Sequence, residues 1–151
     1  MLLIEVKNAK DAKDALRIYK EKNPAKGNAD GDVFVINNDK KFCYGVIVSE
    51  NEPNTINYYA VTSDNWRNSH EKEVESFRKK NPKLPKLLAE IVVHYGGLVS
   101  KFEKQHPGAK VLLAAGGTRL FYLFITIRGN VKNITDEEVK EHFGISLLDR
   151  R

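Results

Sequence analysis

The sequence predicts an α+β fold: a mostly antiparallel sheet of five to six strands in the order β-α-β-β-β-α-α-β-β-α, with one long helix packed on a face. Three observations lead there. Residues 33–62 and 110–128 read as strand runs, and their connections are too short for parallel crossovers. Between them Leu84, Leu87, Leu88, Ile91, Tyr95, Leu98, Val99 and Phe102 recur at intervals of three and four, the period of a buried helix face. The chain has 151 residues, 41% of them hydrophobic and 30% charged, enough for one core and too few for two, so 1–151 reads as a single α+β domain.

Leu2 to Val6 reads as a short strand. Asn8 then caps a helix from Ala9, with Ala12, Ala15, Leu16 and Tyr19 on one face, and Asn23-Pro24 ends it. Residues 24–32 form a turn-rich connection. Val33 to Ile36 and Phe42 to Val48 flank Asn37-Asn38-Asp39-Lys40, a likeness to a hairpin, and Ile56 to Thr62 extends the pair into a three-strand meander. Ser69 caps a polar helix running to Lys80, with Val74 and Phe77 as its inner stripe, and Pro85 opens the long helix that His106-Pro107-Gly108 terminates.

Lys110 to Arg128 is the most apolar stretch. A two-residue turn at Gly116-Gly117 would close Ala115 on Thr118 and set Leu113 opposite Leu120. Thr135 and Glu138 have capping-box spacing, Val139 and Phe143 form an i,i+4 pair, and Gly144 stops a short last helix. The tail from Ile145 is expected along an edge.

Cys43 is the single cysteine, which excludes an internal disulfide, and its apolar surroundings predict a buried thiol in a reducing, cytoplasmic setting. The opening MLLIEVKNAK is too short for a signal peptide and no run reaches membrane-spanning length, so no membrane partner is expected. The four histidines lack metal-ligand spacing, and Gly116-Gly117-Thr118-Arg119 lacks both the Lys-Ser/Thr pair and the following helix of a phosphate loop. No metal and no cofactor is therefore predicted. His94 reads as a packed histidine and His142 as decoration on a surface helix. His70, near Arg67, has the chemistry of a general acid or base, with no partner in the sequence.

The formal net charge of +5 is unevenly spread: residues 66–110 hold ten Lys or Arg against five Glu. Trp66, Arg67, Lys72, Arg78, Lys79, Lys80, Lys83 and Lys86 form the candidate nucleic-acid-binding set, the cations for phosphate and Trp66 for stacking on an unpaired base. The expected function is a small, basic, non-enzymatic protein binding DNA or RNA. A protein-interaction module, such as a regulator that occupies a partner's surface, is the alternative, because sheet edges offer docking surface.

Two enzyme readings come after these. Glu5-x-Lys7 resembles half of the motif of restriction-endonuclease-like nucleases, which implies a metal-holding acid and a lysine beside the attacking water, although the Asp that a preceding strand supplies in that family is missing here. YYAVTSDNWRN after the meander resembles the Gcn5-related acyltransferases, in which a Tyr/Trp-Arg pair precedes a coenzyme-binding turn, but NSHEKE stands where that turn needs glycines. Tyr58, Tyr59 and Tyr122 are the candidates for an aromatic stacking surface on the sheet.

Overall fold

In the computed structural model, residues 2–24, 33–36, 42–48, 52–62, 65–116 and 122–150 are described. The strands are β1 (Leu2–Val6), β2 (Val33–Ile36), β3 (Phe42–Val48), β4 (Thr55–Thr62), β5 (Ala109–Gly116), β6 (Tyr122–Gly129) and β7 (Ile145–Arg150). The helices are α1 (Ala12–Lys22), α2 (Glu71–Lys80), α3 (Lys86–Gln105) and α4 (Asp136–Phe143). All seven strands join one sheet in the order β1-β3-β2-β5-β6-β4-β7, every pair antiparallel. The fold is α+β, and the tail adds a strand to the expected five or six by pairing with β4.

β2 and β3 pair antiparallel, the turn at Asn37-Asn38-Asp39-Lys40 lying outside the described residues, but the three-strand meander does not form. β4 pairs with β6 and β7, while the open side of β3 takes β1. In the pairing with β6, Ile56, Tyr58 and Ala60 meet Ile127, Ile125 and Leu123, all of them buried. β5 and β6 do pair, yet Leu113 lies opposite Ile125 and Val111 opposite Ile127, not in the register of a two-residue glycine turn. The displacement is five residues, an odd number, so it exchanges the faces of β6. The observed register turns Leu123, Ile125 and Ile127 toward the helices beside Val111 and Leu113, all of them fully buried. The Gly116-Gly117 turn itself extends outside the described residues.

Smaller corrections concern the caps. Asp11, not Asn8, caps α1 by accepting from the Asp14 amide, while Asn8 sits in a turn at φ +66°. His70, not Ser69, occupies the N-cap of α2 and makes no side-chain capping bond. Thr135 caps α4 and Gly144 closes it at φ +63°, as the spacing predicts.

Directly opposed residues share a face, so the registers can be followed across the sheet. Val6, Val46 and Val48 under α1 lie on the same face as Val111, Leu113, Ile125 and Tyr58 under α3. The four helices therefore share one face. α3 anchors them, burying Leu88, Ile91, Val92, Tyr95, Val99 and Phe102; each such side chain contributes about 1.5–3 kcal/mol.

The other face carries no helix among the described residues, but Leu3, Val35, Ile47, Leu112 and Ala114 on it are also buried. The sheet covers them by curling. Arg128 on β6 donates from Nη2 to the Leu3 carbonyl of β1 at 2.7 Å, although four strand spacings separate the two. In a flat sheet that gap is about 19 Å, beyond the reach of an arginine. Gly45 sits inside the curl, where a Cβ would lie 2.6 Å from Val35 Cγ2 and 2.9 Å from the Ile4 carbonyl oxygen. Gly45→Ala is expected to lower stability by roughly 1–3 kcal/mol through overpacking. An unchanged urea midpoint would refute the tight approach of these strands.

Candidate functional site

The loop after β4, helix α2, the turn at residues 81–85 and the first turns of α3 build the region that holds the basic excess. The short turn returns α3 along α2. α2 is weakly apolar: Val74 is its one buried residue and Phe77 is half-buried, so its charged side chains stand in solvent. Glu71 and Glu73 lie in its first turn and Arg78, Lys79 and Lys80 in its last, each sign at the helix end that favours it. On α3, Lys86, Glu90 and His94 fall four residues apart and form one stripe.

Arg67 and Glu90 make the main electrostatic contact. Arg67 Nη2 donates to Glu90 Oε1 at 2.9 Å, and Nε lies 3.3 and 3.4 Å from the two carboxylate oxygens. Glu90 is only 3% exposed. A buried carboxylate needs such a partner, and the forked guanidinium supplies it.

Trp66 lies flat on His94, the rings 4.6 Å apart and 9° from parallel, with its edge contact to Tyr95 at 5.6 Å. Its Nε1 donates to Thr62 Oγ1 at 3.1 Å, and the Tyr95 hydroxyl reaches the same oxygen at 2.7 Å. Trp66 thus pins the loop to α3, its ring already stacked within the protein. His70 lies 5.7 Å from His94, centroid to centroid. Burial, and secondly the neighbouring His70, hold the His94 pKa below its ordinary value. Its Nδ1 is buried without a hydrogen-bond partner among the described residues. The tertiary fold thus supplies the imidazole neighbour that His70 lacks in sequence, and the four-residue stripe on α3 was the available signal.

The eight candidate residues do not form one surface. Arg67, Arg78, Lys79 and Lys86 line a cleft of about 510 Å³ between α2 and α3, together with Asn68, Glu71, Glu75 and Glu90. Lys72 and Lys80 border a separate groove of about 360 Å³ against Phe77 and Val93. Lys83 is exposed on the turn between the helices. Lys79 reaches Glu75 at 3.8 Å, an exposed pair of little energetic weight. Arg78 donates from Nε to the Leu84 carbonyl at 3.3 Å, bracing the turn.

The remaining candidates are spread elsewhere. Glu5 is exposed on edge strand β1, and among the described residues no three His, Cys, Asp or Glu side chains converge as a metal site. Tyr58 and Tyr59 point to opposite faces: Tyr58 is buried under the helices and donates to Asp136 at 2.9 Å, whereas Tyr59 packs on Phe124 at 4.7 Å. No single tyrosine surface results, and the Tyr122 side chain lies outside the described set. Cys43 is partly exposed, and burial pushes its thiol up to about 11. His142 is no decoration, since its Nε2 donates to the Leu98 carbonyl at 2.6 Å and its ring packs on Phe102. No helix among the described residues is long and apolar enough to cross a membrane.

Comparison with protein-family models, with curated proteins and with solved structures finds no match.

Two outcomes follow from the packing around α3. Arg67→Ala strands the Glu90 carboxylate and is expected to lower unfolding free energy by about 3 kcal/mol, with Arg67→Met/Glu90→Leu recovering most of it; equal losses in both would refute the pairing argument. The unfolded His94 ring takes its proton near pH 6.5 and the folded ring only at lower pH. The stability held by neutral His94 is therefore full above that pH and is lost on acidification. His94→Phe keeps the stack and is expected to flatten the fall in melting temperature between about pH 7.5 and about pH 5.5; a fall as steep as in the parent would refute it.

Proposed function

We propose that this protein binds nucleic acid, mainly through phosphate contacts made by α2 and the turn into α3. The observation that carries the reading is a set of four exposed lysines, Lys72, Lys80, Lys83 and Lys86, that make no ion pair among the described residues. Unpaired lysines that neutralise phosphates release the polyanion's condensed counterions and so gain affinity without sequence selection. Arg78 and Lys79 stand beside them and, among the described residues, are held only by a backbone carbonyl and an exposed glutamate. Trp66 and Arg67 serve this surface indirectly: one stacks on His94 and the other pairs with Glu90, so they support the helices that present the lysines. A cytoplasmic site of action accompanies this reading, in keeping with a single cysteine and no disulfide.

Binding of a single-stranded oligonucleotide, read by fluorescence anisotropy, is expected to weaken by tens of fold between about 50 and about 200 mM salt, as about four phosphate contacts require. Lys80→Glu/Lys83→Glu/Lys86→Glu is expected to abolish it. Affinity indifferent to salt, or kept by the triple variant, would overturn the proposal. A protein partner recovered in stoichiometric amount without nucleic acid would replace it with the interaction-module reading.

A further inference from the structure

The cleft between α2 and α3 is polarised by both of its walls. Along α2, Glu71 and Glu75 precede Arg78 and Lys79. Along α3 the order is reversed, Lys86 before Glu90, but α3 runs back from the turn, so Lys86 falls level with Arg78 and Lys79. Glu90 falls near Glu75, where Arg67 from the preceding loop covers it. The turn end of the cleft is thus basic, and the other end presents Glu71 and Glu75, with Arg67 neutralising Glu90. Val74 beside the two glutamates and Pro82 in the turn add apolar wall.

A running phosphate backbone does not suit this cleft, because its charge would be repelled at Glu71 and Glu75. A ligand with one anionic end and hydrogen-bond donors at the other does suit it. Glu71 and Arg78 are seven residues apart on one helix, about 10 Å along its axis. A free amino acid is too short to engage both, whereas a nucleotide separates its phosphate from the amino and imino donors of its base by about that span. The volume of about 510 Å³ lies inside the usual range for small-molecule sites, about 300–1,000 Å³. The Lys79–Glu75 pair runs along α2 on one wall of the cleft, is exposed and opens at little cost.

We propose that this cleft binds a nucleotide bearing a terminal phosphate, either free or at the end of a strand. The phosphate sits on Arg78, Lys79 and Lys86, and the base turns its donors toward Glu71 and Glu75 beside Asn68. This site rests on the nucleic-acid reading of the same surface, but it selects chain ends or mononucleotides, whereas the outer lysines do not select.

Titration calorimetry with adenosine 5′-monophosphate, guanosine 5′-monophosphate and inorganic phosphate, and with one oligonucleotide carrying a 5′-phosphate, a 3′-phosphate or neither, tests it. At least one monophosphate is expected to bind about tenfold tighter than inorganic phosphate, and Lys86→Gln to weaken it about tenfold. The Lys86 side chain makes no hydrogen bond or ion pair among the described residues, so this variant should fold, and Glu75→Gln, expected to narrow the preference over inorganic phosphate, provides a second reading. Tighter binding of an end-phosphorylated oligonucleotide identifies the strand end as the source. Mononucleotide binding without any oligonucleotide binding supports the cleft and removes the polyanion reading. Equal, salt-sensitive binding of all three oligonucleotides, with no mononucleotide preference, overturns the cleft and leaves that reading standing.

Discussion

The architecture depends on how one sheet buries two faces when all four of its helices pack on the same one. The face that carries no helix among the described residues is apolar across β1, β3, β2 and β5, and leaving it wet would forfeit about 1.5–3 kcal/mol per large side chain. Strong curling resolves this. It requires a residue without a Cβ at Gly45, where strands crowd on the inner surface, and it brings the Leu3 carbonyl of an edge strand within reach of Arg128. That bond ties edge strand β1 to interior strand β6, so the β1 end of the sheet folds over the apolar strip.

With one face committed to its own curl, the helical layer is free to extend past the sheet. α2 buries little, and it is held by what flanks it: Trp66 stacked on His94, Arg67 paired with the buried Glu90, and Arg78 bracing the turn at Leu84. Trp66 and Arg67 are the residues of the basic segment that the fold consumes for positioning, whereas Arg78 gives the turn its Nε. The cations left over, on the exposed side of α2, on the turn and along the cleft, are the ones available to an anion. A buried ion pair such as Arg67–Glu90 adds little net stability compared with apolar packing. Its orientation of the loop over α3 is the more substantial contribution, since it sets the acidic end of the cleft.

Much of the fold was legible in the sequence because its signals are local. The three-and-four spacing of Leu88, Ile91, Tyr95, Val99 and Phe102 defined α3, the Thr135–Glu138 box and Gly144 bounded α4, and the strand limits of β1, β2 and β3 followed from apolar runs and turn residues. The candidate site was legible only as a composition. Charge counting found the segment but could not show that Arg67 would be spent on Glu90 twenty-three residues later, that Trp66 would face inward, or that α2 would divide the lysines between a cleft and a groove.

The sequence by itself determined which residues are helical or extended, which side of each element is apolar, and where the positive charge is concentrated, since periodicity and charge are properties of neighbouring residues. Tertiary structure alone decided that β4 joins β6 instead of β3, that β6 turns its aliphatic face to the helices, and that His94 lies beside His70. Pairing and register depend on the match between surfaces distant in sequence. An apolar face can state that it needs a partner, but the identity of that partner is settled by competition among all the faces that the chain brings together.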